Sequence, residues 1–216
     1  MVAALCCVLG ACADGVREAP DTYVVRPGDS LYSIAWRHDL DYRDLARWND
    51  VGADFHLSIG QVLRLGSGAP REVQMPLGSA PSLRAAQPPP VPKPPLGTTW
   101  VWPTERLGAP RMLPSGGLLL SGRLGQDIRA TSAGRVVYTG SGLRGYGNLV
   151  IVKHADNLLS AYAHNREIQV HEGQELLTGQ VIGHMGVDEQ RAPGLYFEIR
   201  QNGRPVNPLA FLSKEK

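Results

Sequence analysis

The segment 194–200, near the end of the chain, combines a tyrosine, a glutamate and an arginine with apolar residues in strict alternation. Successive side chains of a β-strand point to opposite faces, so the pattern predicts Tyr196, Glu198 and Arg200 on one face and the apolar residues on the other. Tyrosine and arginine are the residue types most enriched among the hot spots of protein interfaces. We therefore regard Tyr196 and Arg200 as candidate binding residues.

The same segment resembles the signature strand of the LytM (lysostaphin-type) zinc metallopeptidases, which reads His-x-His-Phe-Glu-Ile in active members. In those enzymes the second histidine binds zinc and the first assists catalysis. Here the two positions are Tyr196 and Gly194, respectively. The resemblance covers residues 100–213 and implies the peptidase fold, but the strand itself argues against a peptidase site.

The other two zinc ligands of the family come from a His-x-Gly-x-Asp segment. A Gly-x-Asp pair ends at Asp127, but the residues from Gly125 onward match a later stretch of the family without a gap. Counting back along this register places the histidine position at Ser115 and the aspartate position at Leu119.

A catalytic zinc requires three protein nitrogen, oxygen or sulfur donors around an open coordination position. Leucine offers no donor and neutral hydroxyls are poor ones, so Ser115, Leu119 and Tyr196 cannot supply the set. Of the family's two auxiliary histidines, only His164 remains. We predict that the chain binds no metal and no other cofactor, and that it is not an enzyme.

Residues 21–65 predict a small unit of strand, helix, helix and strand. Ser30 is a suitable cap for the first helix, and either Asp41 or Asp44 for the second. The closing strand is predicted at 59–65.

This unit resembles a LysM domain, with the segments VRPGDSL, WN and IGQ in the expected order. The resemblance implies a groove that binds peptidoglycan through its N-acetylglucosamine glycan, formed by Gly28, Asp29, Ser30, Leu31, Phe55, Leu57 and Ile59. For Leu31 and Ile59, an alternative interpretation as core residues stays open.

The first 20 residues predict an export signal. A short apolar run ends in Leu-Gly-Ala-Cys, which resembles a bacterial lipobox and implies that Cys12 carries a lipid anchor in the membrane. Ala13 follows this cysteine, which favours the periplasmic face of the outer membrane of a Gram-negative bacterium.

The rest of the chain predicts a linker and a β-domain. Residues 66–99 hold nine prolines without apolar periodicity, which indicates an extended spacer. From 100 to 213, short apolar strands alternate with glycine, asparagine and aspartate turns. A G-x-G-x-x-G motif at 140–145 precedes a β-branched strand rather than a helix, so we interpret it as a hairpin loop and not as a dinucleotide site. The predicted fold class is mostly β: a small α+β (βααβ) domain followed by an antiparallel β-sheet domain.

Charge and cysteine content exclude two classes of function. The net charge of +2 gives no case for nucleic-acid binding, which needs a clustered basic face. All three cysteines lie in the first twelve residues, so the body of the chain has neither a disulfide framework nor a cysteine zinc site.

Lipidated LysM proteins with a degenerate LytM domain resemble the murein hydrolase activators of the NlpD/EnvC type. The resemblance implies that the groove binds and stimulates periplasmic N-acetylmuramoyl-L-alanine amidases, which cut peptidoglycan as daughter cells separate. The family's amidase-contact positions fall on Tyr146, Tyr162, Tyr196 and Arg200. As an alternative, these tyrosines only fill the space left by zinc. A second class of function is a passive tether, in which the LysM unit holds glycan and the lipid holds the membrane.

Overall fold

The computed structural model describes residues 22–66 and 100–212, which form two packed modules. The predicted fold class is confirmed, because strands dominate, the sheets are antiparallel and the small helical unit comes first. Cys12 and nearly all of the predicted linker lie outside the described residues. Within the two described segments, no helix is long and apolar enough to cross a bilayer.

The N-terminal module has the predicted order, with β1 (Thr22–Val24), α1 (Leu31–Arg37), α2 (Tyr42–Trp48) and β2 (Val62–Arg64). The two strands pair antiparallel, with Tyr23 opposite Leu63. The closing strand is shorter than predicted. The chain makes a turn before it, in which Gln61 N–H donates to the Ser58 carbonyl and Gly60 has a φ of 86°.

Side-chain caps fix both helix starts. The Ser30 hydroxyl accepts a hydrogen bond from the Ser33 N–H, and the Ser33 hydroxyl accepts one from the Ser30 N–H, so α1 begins with a reciprocal capping box. Of the two aspartates predicted for the second helix, Asp41 is the cap, and its carboxylate accepts from the Arg43 N–H. Asp44 lies within the first turn instead, where its charge favours the helix N-terminus.

The C-terminal module is built on one large antiparallel sheet. Its strands are β3 (Arg111–Met112), β4 (Leu118–Ser121), β5 (Asp127–Arg129), β6 (Gly134–Gly140), β7 (Asn148–Lys153), β8 (Leu158–Ile168), β9 (Glu175–Leu176), β10 (Val181–Met185), β11 (Gly194–Gln201) and β12 (Arg204–Val206), and a 3-10 helix follows at Pro208–Ala210. The strand order is β3-β4-β11-β8-β7-β6-β9, and in addition β10 pairs with β5 and β8, and β12 pairs with β11. The glycine motif at 140–145 forms the connection from β6 to β7, as predicted.

Strand β11 divides two hydrophobic clusters. Leu195, Phe197 and Ile199 belong to one cluster together with Trp100, while Tyr196 belongs to the other, together with residues of the N-terminal module. The predicted alternation along this strand is therefore confirmed. Both faces of β11 are buried. One face packs on the C-terminal core, and the N-terminal module covers the other face at Arg200.

The two modules share a continuous interface. The side chains of α1 and of the central strands form one apolar cluster, which includes Ile34, Trp36, Ile151 and Ala161. At the edge of this interface, Gly203 approaches the backbone that joins α1 to α2. An ideal Cβ on Gly203 would lie 2.5 Å from the backbone nitrogen of Asp41, closer than real Cβ contacts occur.

We predict that Gly203→Ala lowers the free energy of unfolding by at least about 1 kcal/mol more than Gly173→Ala. Both glycines have a left-handed φ, 76° and 83°, so the backbone strain of alanine is matched. Only Gly203 has the neighbouring module against it, whereas a Cβ on Gly173 would meet nothing within 4 Å. Overpacking of this kind typically costs about 1–3 kcal/mol. Urea denaturation of the two variants measures the difference, and equal losses would show that the modules do not pack in this way.

Candidate functional site

A groove of about 310 Å³ lies beside the middle of β11. It is lined by β3, by the turn from β3 to β4 with the start of β4, by the loop from β6 to β7, by β8 and by the loop from β10 to β11. The lining includes Ser115, Leu119 and Tyr196, the three positions predicted to correspond to the zinc ligands of active LytM peptidases, together with Tyr146 and His164. The structure therefore brings five of the sequence-predicted site residues together.

Strand pairing explains how two of these three predicted positions meet. Strand β4 pairs antiparallel with β11, and Tyr196 lies directly opposite Leu119. The ring of Tyr196 extends over Gly117, where an added Cβ would lie 2.6 Å from the tyrosine Cζ and Oη. The glycine at this position therefore leaves the space that the tyrosine ring occupies.

The Tyr196 hydroxyl lies between two polar side chains. It donates to the Glu198 carboxylate at 2.5 Å, and its oxygen lies 3.1 Å from the Ser115 hydroxyl, which therefore serves as donor to it. Burial, followed by the charge of Glu198, raises the pKa of the Tyr196 phenol, so the phenol is protonated at neutral pH. The ring makes edge contacts with Tyr146 at 5.5 Å and with His164 at 6.3 Å between ring centres.

The polar row continues from Glu198 to Arg200 and then into the N-terminal module. Glu198 is fully buried and accepts from the Arg200 Nε at 2.6 Å. The Arg200 guanidinium stacks on the Trp36 ring at 3.9 Å, donates to the Trp36 carbonyl at 2.9 Å and pairs with Asp39 at 2.9 Å. Arg200 is 5% exposed and lies beneath the N-terminal module, outside the lining of the groove.

Three members of this row were missed as site residues: Glu198, Trp36 and Asp39. A charged residue in a strand whose neighbours are all apolar or aromatic needs a partner when the strand is buried. Strand alternation places Glu198 between Tyr196 and Arg200 on one face, and this was the sequence signal that these two residues are its hydrogen-bond partners. No sequence signal linked Arg200 to Trp36, which lies 164 positions away along the chain.

Tyr162 lies away from the groove, on the opposite face of the sheet. It is fully buried against Phe197, with ring centres 5.3 Å apart. Its hydroxyl oxygen accepts from the Thr131 N–H at 2.9 Å and from the Ser160 hydroxyl at 2.9 Å. The structure therefore does not bring Tyr162 together with Tyr146 and Tyr196.

His164 is the residue predicted to be the remaining auxiliary histidine of the LytM pattern. It sits at a left-handed position with a φ of 64°, held by hydrogen bonds from its N–H to the Tyr146 carbonyl and from the Gly186 N–H to its carbonyl. Burial lowers the pKa of His164, an effect that the nearby Asp188 and Glu189 oppose. Among the residues of 22–66 and 100–212, no three histidine, cysteine, aspartate or glutamate side chains meet where they could hold a metal ion.

The apolar glycan candidates of the N-terminal module differ in exposure. Leu31 is fully buried in the core, whereas Ile59 is 71% exposed. Leu57 is half-buried against the same core. The core alternative is thus correct for Leu31 and wrong for Ile59, while their glycan-binding role stays a prediction.

The remaining glycan candidates lie in the loops around α1. Gly28 forms a turn with a φ of 81°, and the carboxylate of Asp29 accepts a hydrogen bond from the Tyr23 hydroxyl at 2.7 Å. Ser30 and Phe55 line a cleft between the two modules. The binding role of these residues also stays a prediction.

Fold and groove together define a LysM module joined to a module of the M23 peptidase type. Residues 23–66 match the LysM domain family, and residues 114–208 match peptidase family M23.

The chain is 36% identical over 246 positions to the "Lipoprotein NlpD/LppB homolog" of Pseudomonas aeruginosa, covering 95% of this chain and 82% of that protein. It is 36% identical over 256 positions to "Murein hydrolase activator NlpD" of Escherichia coli K12, covering 88% and 67% respectively. A solved peptidase M23 from Pseudomonas aeruginosa is 26% identical, with a TM-score of 0.49 over 58% of this chain and 55% of that one. The chain belongs to the NlpD lipoprotein family.

We predict that Glu198→Gln lowers the free energy of unfolding by about 3–5 kcal/mol, because it removes the buried charge that faces Arg200 and accepts from Tyr196. The matched control is Glu175→Gln, since Glu175 pairs with Arg135 across neighbouring strands but both side chains are more than half exposed. Exposed pairs contribute about 0–1 kcal/mol. Chemical denaturation at neutral pH measures both variants, and an equal effect would contradict the assigned role of the buried row.

Proposed function

We propose that the protein is a non-catalytic murein hydrolase activator. It binds peptidoglycan through the LysM module and stimulates periplasmic N-acetylmuramoyl-L-alanine amidases through the groove of the M23-type module. The observation that carries this proposal is the match, across both modules, to relatives named murein hydrolase activator. Amidase stimulation of this kind serves cell division or remodelling of the envelope.

The contents of the groove support a binding role over a hydrolytic one. The three positions that bear zinc ligands in active LytM peptidases hold Ser115, Leu119 and Tyr196, which lack the donors for a tetrahedral zinc site. The Tyr196 hydroxyl is already engaged with Ser115 and Glu198. The Tyr196 ring and its hydrogen bonds thus occupy the place where active LytM peptidases hold zinc.

The rim of the groove offers a partner an accessible surface. Tyr146 is half-buried, Ser115 and Glu189 are exposed, and all three line the groove. Arg200 is different, because a partner reaches its guanidinium only after the N-terminal module is displaced. Tyr146 is therefore the better probe of direct amidase contact, and Arg200 tests contact and module packing together.

The proposed location is the periplasmic face of the outer membrane, with a lipid on Cys12. The lipobox-like sequence before Cys12 and relatives named lipoproteins support this assignment. The passive tether remains the second candidate function, because it requires the same anchor and the same LysM module.

We predict that Tyr146→Ala and Tyr196→Ala each weaken amidase stimulation, with a loss of about thirtyfold in apparent affinity. Truncation of an interface hot spot costs about 2 kcal/mol or more. The assay mixes purified protein, periplasmic amidase and dye-labelled sacculi, and records dye release. Arg129→Ala is the control, since Arg129 is exposed and lies outside the groove lining.

Melting temperatures decide how a loss of stimulation is interpreted. A loss at an unchanged melting temperature assigns Tyr146 or Tyr196 to the contact surface, whereas a large fall assigns it to structure. Wild-type protein that stimulates no periplasmic amidase would favour the tether instead.

We also predict that purified protein carries no stoichiometric zinc and releases no dye from sacculi by itself. Elemental analysis measures the metal content. About one tightly held zinc per chain, lost on chelation together with lytic activity, would overturn the non-catalytic assignment.

A further inference from the structure

A cleft of about 570 Å³ lies between the two modules. One wall comes from the N-terminal module, namely the start of α1 at Ser30 and Tyr32 and the loop around Phe55. The other wall comes from the C-terminal module, namely β6, the end of β7 and the turn before β9. Clefts of this size at domain interfaces are common places for ligands.

Lys153 at the end of β7 stands out within this cleft. Its ammonium lies near three aromatic rings of the N-terminal module, 5.4 Å from the centre of Tyr42, 5.8 Å from Phe55 and 5.9 Å from Tyr32. Cation–π attraction at such distances holds the charge over the rings. The C-terminal module thus places a cation on the aromatic surface of its neighbour.

The ammonium of Lys153 also lacks an acceptor. Across residues 22–66 and 100–212, Lys153 makes no side-chain hydrogen bond and no ion pair, although its side chain is half-buried. An ammonium carries three donors, and aromatic faces do not replace oxygen acceptors for all of them. The other cation of the cleft, Arg135, is paired with Glu175. Lys153 is therefore a cation of the cleft that has no oxygen acceptor among the described residues and can donate to a ligand.

We propose that this cleft is a composite saccharide site, in which both modules bind one N-acetylated amino-sugar strand. The proposal rests on the proposed function, because it takes glycan as the ligand of the LysM module. Aromatic and aliphatic surface from Phe55 and Val137 contacts the apolar faces of the sugar rings. Lys153 donates to an acceptor oxygen of the ligand, so the M23-type module is part of the glycan-binding surface.

The first test measures binding of a peptide-free N-acetylglucosamine oligosaccharide to the full-length protein by calorimetry. We expect Lys153→Met to weaken binding about tenfold, since a hydrogen bond from a charged group contributes about 1.5 kcal/mol or more. Methionine keeps an unbranched side chain that packs along the cleft. Arg166→Met is the matched control, because Arg166 is an exposed cation on β8 outside the lining of this cleft.

The second test needs no substitution. Titration of the same oligosaccharide into isotopically labelled protein should shift the backbone amide signals of Gly134 and Gly173, which line the cleft from the C-terminal module. A site confined to the LysM module would shift signals of the N-terminal module alone.

The outcomes separate this inference from the proposed function. Wild-type binding that is unchanged in Lys153→Met, with Gly134 and Gly173 signals unmoved, overturns the composite site and leaves the LysM assignment standing. Absence of wild-type binding overturns both the composite site and glycan binding by LysM. In a third outcome, peptide-bearing fragments bind in a manner that depends on Lys153, and the peptide-free oligosaccharide does not bind. This result would identify a stem-peptide carboxylate as the ligand of Lys153 and would overturn the proposal of an amino sugar.

Discussion

The arrangement of the two modules depends on how the buried charge of Arg200 is stabilised. A guanidinium that is 5% exposed needs a carboxylate and hydrogen-bond acceptors nearby, because an unpaired charge in the interior costs several kcal/mol. Glu198 supplies the carboxylate from the same strand, whereas Trp36 supplies a ring face and a carbonyl from the other module. The N-terminal module therefore buries Arg200 of strand β11, and it also supplies the contacts that the buried guanidinium requires.

The same row of polar groups determines how the groove is filled. Glu198 accepts from both Arg200 and Tyr196, so the tyrosine hydroxyl has a fixed direction, and Ser115 completes the row at the surface. In a zinc peptidase a metal ion would organise this place through charge and coordination. Here a phenol ring packed over Gly117 and a chain of hydrogen bonds do so.

The sequence predicted the fold well where local rules decide it. The period of two along β11, the cap at Ser30 and the hairpin loop at 140–145 are all local features, and the structure confirms each of them. Local patterns were less informative where both faces of a strand are apolar. Tyr162 lies on β8 between small residues, so alternation alone did not specify which cluster its ring joins.

The site was predictable only in part for a related reason. The match to the zinc-ligand segments of the LytM family predicted that Ser115, Leu119 and Tyr196 lie at one site. In the structure, strand β4 pairs with β11 and brings Leu119 next to Tyr196. The sequence contains no comparable signal for the packing of the two modules against each other. A hydrophobic pattern shows that a face is buried but not what covers it, so the contacts of Arg200 with Trp36 and of Lys153 with the aromatic rings came from the structure alone.

Modules that occur in many proteins are often treated as exchangeable parts, and the surroundings of Arg200 restrict such exchange. A foreign LysM domain placed in this chain would have to present a flat ring, an accessible carbonyl and an acidic group at the positions of Trp36 and Asp39. Without them Glu198 and Arg200 would face water or an unsuitable surface, and the space above Gly203 would have to fit a new backbone. The two modules therefore constrain each other's sequences, and they are expected to be inherited and recombined as a pair.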